Sequence, residues 1–454
     1  MQTVGVGDSI RLTFDHTQTS ASPIKNSKTH MTTATKTTNP LFPPPLRPPA
    51  LSTAFTAKSK FLAIILLLSC CAAFAEPSQD PRIDADFPGG NIILEKIEAN
   101  TVTLRQDLRD TDGSWFYWSF RVRGAAGKTL SFRFTNGNVI GPNGPAASLD
   151  DGLTWTWLGK TEDRKSFSHT FAEDTTSVIF SLAMNYTEAT LERFLKPYQN
   201  YPALERGVLC KSPEGRPVEQ LRVGKIDGPP KHRVLVTARS HACEMMASYA
   251  VEGIIEAVLA DDPLGSALRD HVEFLVIPFV DKDGVEKGDQ GKNRKPRDHN
   301  RDYDERSIYP ETRAIMETVP KWADGKLSLA LDLHCPYISG GINEVIYLVG
   351  SSDPGIWKEQ TRFGQILEKD RQGPLEYRAS DNLPFGKDWN TGANYSLGTS
   401  GSRWAADLPG MKMASTVEIP YSNARGKQVT AESARAFGHD LARAIHRYLD
   451  LPAE

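Results

Sequence analysis

Four side chains in this 454-residue chain have the types and settings of an open metal site with a base beside it: His241, Glu244, His334 and Glu418. His241 and Glu244 stand three apart, between an apolar run (Val234, Leu235, Val236) and a segment of helical character from Met245 to Leu259. At a turn from strand to helix, that spacing presents an imidazole and a carboxylate to one side. His334 ends the apolar run Leu329-Ala330-Leu331-Asp332-Leu333, and Pro336 soon after makes the backbone leave the strand. Two nitrogens and one carboxylate are the ligands of a catalytic zinc ion whose fourth position is left for water. Such an ion lowers the pKa of that water and polarises a bound carbonyl. The expectation is one zinc per chain. Glu418 sits alone in Thr416-Val417-Glu418-Ile419-Pro420. An acid in an apolar strand is costly unless it is paired, beside a metal, or set to move a proton. It is the natural general base.

A second polar stretch, Arg297-Asp298-His299-Asn300-Arg301-Asp302, supplies what peptide hydrolysis would add. An Asn–Arg pair can grip a substrate carboxylate, with Arg301 giving the planar fork. Asp298 can accept the free ring N–H of a ligating histidine. Taken alone, the charge-dense residues 281–306 read as a solvated loop, and a lone His-x-x-Glu or a histidine at a strand end is equally ordinary. Only their company makes a site.

These residues need elements to position them. An apolar content of 39% is ample for real cores, and the length suggests two or three domains. Residues 1–57 are rich in Ser, Thr and Pro without periodicity, a disordered composition. Lys58 and Lys60, the apolar run Phe61 to Leu68, and Ala73-Phe74-Ala75 then have the order of a secretory signal peptide cleaved after Ala75. The apolar run is too short to span a bilayer. Leu67-Leu68-Ser69-Cys70 is the second reading, a lipoprotein box that would place a lipid anchor on Cys70. Without residues 1–75 the chain keeps 46 basic and 54 acidic side chains, a balance of −8, which repels phosphate backbones and argues against nucleic acid as a partner. Cys210, Cys243 and Cys335 remain, an odd number that makes no disulfide framework. Cys243 and Cys335 adjoin the proposed ligands and read as buried free thiols rather than thiolate ligands. A disulfide between them stays open in an exported chain.

From about residue 82 to 185, short period-2 runs (Phe116 to Val122, Leu130 to Phe134, Leu153 to Trp157, Val178 to Leu182) alternate with Gly, Pro, Asn and Asp clusters. That pattern predicts a β-sandwich. Its aromatics read as core rather than as a sugar-stacking platform. Beyond Tyr186, strands at 233–237, 273–278, 327–333, 344–349 and 414–419 alternate with helices at 245–259, 309–322, 356–371 and 431–448. Alternation of this kind implies a mixed, mostly parallel sheet flanked by helices, with polar sites at the strands' C-terminal ends. The expected segments are a leader (1–75), a small all-β domain (76–187) and an α/β catalytic domain (188–454).

Taken together, these stretches resemble the zinc metallocarboxypeptidases of the carboxypeptidase A family. The likeness is nearest to the branch of the cytosolic carboxypeptidases, whose members carry a β-sandwich before the catalytic domain. His241-x-x-Glu244 matches the family's first zinc motif. Pro278 to Gly284 resembles its strand and Asn-Pro-Asp-Gly turn, Asp298-His299-Asn300-Arg301 its Asp-x-Asn-Arg element, and Asp332-Leu333-His334 its third-ligand strand. Val417-Glu418 resembles the strand of the catalytic Glu, and Tyr395, 23 residues earlier, the mobile substrate-contacting Tyr. The resemblance implies that Asp298 orients His241, and that Asn300, Arg301 and Tyr395 hold a terminal carboxylate. The family's carbonyl-polarising arginine has no clean match: its slot falls near Gly291, and Arg294 is the best substitute, with Lys292 second. Gly401-Ser402-Arg403-Trp404 resembles the segment lining the pocket for the last side chain, where Arg403 would favour Glu or Asp.

The expectation is an exported enzyme, periplasmic or secreted, that hydrolyses the last peptide bond of peptides or proteins. The alternative keeps the zinc and changes the bond, as an amidase or deacylase acting on cell-wall peptides or N-acyl amino acids. A binding module with a relic site is the reading from another class, and the complete ligand set with Glu418 argues against it.

Overall fold

The computed structural model describes residues 80–452. The expectations for the leader, the cleavage site and Cys70 therefore lie outside the described residues. Among those described, no helix is long and apolar enough to cross a membrane.

Nine short strands come first: β1 (Arg82–Asp84), β2 (Ile93–Glu98), β3 (Thr101–Arg105), β4 (Ser119–Arg123), β5 (Thr129–Phe134), β6 (Ala146–Ser148), β7 (Thr156–Trp157), β8 (Ser166–Thr170) and β9 (Ser177–Ser181). They form two sheets, β1-β4-β9-β6-β7 and β2-β3-β5-β8. Pairing is antiparallel except between β3 and β5. The alternating aromatics face inward: Phe120, Phe132, Phe134 and Phe180 are buried, with Phe132 5.3 Å from both Phe120 and Phe180, and Trp118 4.7 Å from Phe134. Two runs end short of their pattern for visible reasons. Residues 115–118 leave the sheet because Tyr117 exchanges two 2.8 Å hydrogen bonds with the side chain of Gln290. Residues 153–155 are turned by Asp150, which accepts from Leu153 N (3.1 Å) and Thr154 N (2.9 Å), a local bond that competes with strand pairing.

The rest runs α1 (Glu188–Leu195), β10 (Leu204–Lys211), β11 (Pro217–Gly224), β12 (His232–Ala238), α2 (Met245–Leu259), α3 (Pro263–His271), β13 (Val272–Ile277), α4 (Lys282–Lys287), α5 (Pro310–Ala323), β14 (Leu327–His334), β15 (Tyr347–Val349), α6 (Pro354–Asp370), α7 (Gly401–Ala406), β16 (Met413–Glu418) and α8 (Ala431–Tyr448), with a two-residue hairpin between β16 and α8. One sheet holds seven strands in the order β10-β11-β13-β12-β14-β16-β15. Only its central four are mutually parallel; β10, β11 and β15 add antiparallel edges. The parallel character is therefore narrower than the sequence suggests, because the β10–β11 hairpin needs only a short turn where parallel neighbours need a crossover. β13 and β14 are buried at every position, as strands covered on both faces must be. One contiguous apolar cluster runs from Phe120 and Phe132 through Tyr186 and Tyr249 into α2 and α8, so the sandwich and the mixed sheet share a core.

Glu311, in the first turn of α5, is buried with one carboxylate oxygen unbonded. Burial, reinforced by Asp281 and Asp283, raises its pKa from 4.5 to about 8. The unfolded chain ionises this group first, so it contributes stability below pH 4.5 that is lost as pH rises through 8. Glu311→Gln is expected to match the parent's melting temperature at pH 5 and exceed it at pH 9; parallel melting profiles would refute the assignment.

Candidate functional site

The C-terminal ends of β12, β14 and β16 lie side by side, with Ala238 opposite Leu333 and His334 opposite Glu418. After β12 the chain turns at Arg239, a non-glycine residue at φ +60°. That conformation costs on the order of 1–3 kcal/mol and is held by Arg239's own buried guanidinium. It donates to Tyr186 O (2.9 Å), Ser248 Oγ (3.1 Å) and Ala242 O (3.1 Å). The turn leaves His241 in a loop and Glu244 at the start of α2. On the other side, period 2 along β14 puts Asp332 and His334 on one face.

His241, Glu244 and His334 converge as the sequence predicts, their ligand atoms within 4.8 Å of one another. The two Nδ1 atoms are 3.2 Å apart; His241 Nδ1 is 2.9 Å from Glu244 Oε1, and His334 Nδ1 is 2.7 Å from Glu244 Oε2. Two nitrogens bound tetrahedrally to one zinc at about 2.05 Å would be roughly 3.3 Å apart. Glu244 Oε2 is buried with no hydrogen-bond partner, which leaves it available as a ligand. The residues present fit zinc. Each ring's far nitrogen faces a carboxylate: His241 Nε2 is 3.2 Å from Asp298 Oδ1, and His334 Nε2 is 2.8 Å from Asp332 Oδ2. Asp332 accepts in turn from Thr237 Oγ1 at 2.8 Å, and Asp298 from the backbone N–H groups of Asn300 (2.7 Å) and Asn293 (3.0 Å).

The charges explain one another. Burial works against ionising Glu244, yet His241, Lys292 and His334 hold its pKa well below the ordinary range. Burial likewise opposes charge on His334, and Asp332 and Glu244 overcome it. For Glu418, burial dominates, with Glu244 adding to it, and the pKa rises. Glu418 lines the cleft, and its Oε2 has no hydrogen-bond partner.

The two cations considered for the oxyanion lie in different surroundings. Arg294 does not line the cleft; it is locked between Asp281 and Asp289 (2.8 Å to the latter), with Asp110 3.8 Å away. Asp281 and Asp289 take its two terminal nitrogens. The second choice, Lys292, is the cation that reaches the cleft: its Nζ lies 2.6 Å from Glu244 Oε1 and donates to Cys335 O at 2.8 Å. Burial opposes its charge, and Glu244, Cys243 and Glu418 more than restore it. Its loop passes so close to the His241 turn that a Cβ on Gly291, at φ +76°, would lie 2.2 Å from Ala242 N.

Arg301 lines the cleft, its fork tied to Asn394 by Nε (3.0 Å to O) and Nη2 (3.1 Å to Oδ1). Asn300 is buried beneath it, accepting from Gly401 N at 3.0 Å, with its amide nitrogen 3.4 Å from His334 Nε2. The guanidinium groups of Arg301 (5.1 Å) and Arg403 (4.3 Å) both lie over the ring of Tyr395. Cys243 and Cys335 are free and buried; neither belongs to the group of converging ligand atoms, and Cys243 Sγ lies 3.3 Å from the Tyr421 hydroxyl instead. Asp332 carries a role that the sequence reading does not assign it, although its place two residues before His334 puts it on the same face of β14. Trp115 and Tyr347, which also line the cleft, carried no such signal.

The sequence profile of the zinc carboxypeptidases matches residues 191–436. The chain belongs to that family. This zinc carboxypeptidase family member is homologous to the cytosolic carboxypeptidases: it is 27% identical to cytosolic carboxypeptidase 2 of Xenopus tropicalis over 266 residues, 50% of this chain and 27% of the relative. With cytosolic carboxypeptidase 6 of Mus musculus it shares 26% identity over 213 residues, 44% of this chain and 39% of the relative. The chain thus spans well under half the length of these curated relatives. Among solved structures, a metallo-carboxypeptidase from Burkholderia cenocepacia superposes with a TM-score of 0.67 at 23% identity, covering 82% of this chain and 99% of that one. One from Pseudomonas aeruginosa, in complex with (2-guanidinoethylmercapto)succinic acid, gives 0.66 at 21%, covering 81% and 99%. Coverage this broad exceeds residues 188–454 alone, so the shared fold takes in the sandwich. The family is zinc-dependent, and His241, Glu244 and His334 form a group that could hold the ion.

Asp332→Ala frees the ring of His334 without removing a ligand atom. Zinc affinity, measured by competition with a chromogenic chelator, is expected to fall about 10- to 100-fold. Unchanged affinity would show that the ring is held by something else.

Proposed function

We propose that this protein is a metallocarboxypeptidase that removes the last residue of peptides or proteins, preferring an acidic one. A single arrangement carries the reading: a largely buried His–Glu–His group that fits zinc, with Glu418 and its unpartnered Oε2 beside it and Arg301 in the same cleft. When bound, zinc would polarise the scissile carbonyl and lower the pKa of water. Glu418 takes the attacking water's proton and passes it to the leaving amine; its burial suits a group that must hold a proton between the two events. Lys292 steadies the developing negative oxygen. Arg301 takes the terminal carboxylate in its fork, fixing the last peptide bond against the metal group. Support for an acidic preference comes from Arg403. Its guanidinium lies half-buried over the rings of Tyr395 and Phe385, and among the described residues no carboxylate pairs with it.

Mass-spectrometric ladders on matched peptides ending in Glu, Phe and Lys are expected to show single-residue loss, fastest for Glu. Arg403→Ala should level the three. Arg301→Ala should abolish turnover of free-acid peptides; if it is harmless, the amidase or deacylase reading takes over. Lys292→Met is expected to lower kcat by about 10²–10³, whereas Arg294→Ala should lower the melting temperature and leave the kcat of the folded fraction in place. The reverse pattern would return the oxyanion role to Arg294.

A further inference from the structure

The cleft beside the metal group is not built by the α/β domain alone. A segment of the sandwich, residues 107–118, clasps the loop that carries Lys292. Asp110 accepts from Gln290 N (3.1 Å) and Gly291 N (2.8 Å), and Thr111 Oγ1 donates to Lys292 O at 2.7 Å. Arg109 Nε donates to Asp289 at 2.9 Å. The same segment then sends Trp115 into the cleft wall, among His241, Lys292 and Glu418. Its ring lies 5.3 Å from the Lys292 ammonium and 5.9 Å from the ring of Tyr337, while Phe116 stands edge-on to Tyr337 at 4.9 Å.

Trp115 has an orientation that its surroundings impose. The indole nitrogen is buried with no acceptor, and a Cβ on Gly113 would lie 2.3 Å from it. The polar edge is therefore turned into its own loop, and the apolar body of the ring is what the cleft receives. A buried indole N–H without a partner is costly, so the loop holds this ring against a local penalty. Tyr337 faces it from the loop after β14 and is 47% exposed, too exposed for a core residue. The groups for the terminal carboxylate and last side chain, Arg301, Asn394, Tyr395 and Arg403, contact one another. Trp115 instead touches Lys292, which touches Glu244. A peptide anchored at Arg301 with its last bond at the metal group must continue past Lys292 towards these rings.

We propose that Trp115 of the sandwich and Tyr337 of the α/β domain form an aromatic subsite for the residue immediately upstream of the scissile bond, selecting an aromatic or large apolar side chain there. The inference rests on the carboxypeptidase reading of the same cleft. The β-sandwich is thereby a specificity element as well as a support.

The test is a pair of peptides with the same acidic terminal residue and either Phe or Gly before it, together with an N-acylated terminal amino acid that has no upstream side chain. The parent protein should prefer Phe to Gly. Trp115→Ala and, independently, Tyr337→Ala should each lower kcat/KM for the Phe peptide on the order of tenfold, leaving the Gly peptide and the acylated amino acid within about twofold. Gly113→Ala, which displaces the indole, should act like Trp115→Ala. Equal losses on both peptides, or none in the exposed Tyr337→Ala, would overturn the subsite. Cleavage of all three substrates by the parent with no upstream preference would also overturn it while leaving the carboxypeptidase reading intact; failure to cleave any of them would instead fall on that reading.

Discussion

A carboxylate with no access to solvent sits where β12 hands over to α2, and most of the surrounding design follows from keeping its charge there. An isolated carboxylate in such a place would take up a proton rather than remain ionised. Glu244 stays charged because two imidazoles and an ammonium converge on it. Those cations need support of their own, and Asp298 and Asp332 supply it from behind the rings. The result is an alternating shell in which no charge is buried without an opposite neighbour, and a divalent ion fits at its centre because the ligand atoms already point to one place. Glu418 has the same cations nearby and keeps one oxygen without a hydrogen-bond partner.

That shell also explains why two domains are packed as one body. Lys292 must come within bonding distance of Glu244 on a loop of little regular structure, squeezed against the His241 turn at Gly291. A loop of this kind does not hold its own shape, and the sandwich holds it instead. Asp110, Thr111 and Arg109 grip its backbone and Asp289, and Gln290 replaces the strand pairing that Tyr117 gives up. The β-sandwich thus helps to set the position of the cation beside Glu244. The carboxylates that surround Arg294 belong to the same clasp, which is why that arginine braces the interface.

How much of this was legible in the chain depended on the range of the interaction. The central strands and the long helices α2, α5, α6 and α8 could be read nearly to the residue, because continuous apolar runs and 3.6-residue periods are local consequences of burial. The β10–β11 hairpin and the short helices α3, α4 and α7 were not read, since their apolar positions are few and tertiary partners complete them. His241, Glu244, His334 and Glu418 stood out because each is a polar group where the local pattern requires an apolar or turning one.

By itself the sequence determined the ligand types, the strand ends that carry them, and the lone acid in an apolar strand, for these are matters of residue chemistry and local period. The tertiary structure decided which strands are neighbours, and hence that His334 and Glu418 face one metal group. It set Lys292 beside Glu244 and Arg294 among three carboxylates, a difference that charges in a loop do not reveal. It also brought Trp115 to the cleft from a different domain. No local rule encodes such a meeting, because the energy that secures it comes from contacts between segments more than 170 residues apart.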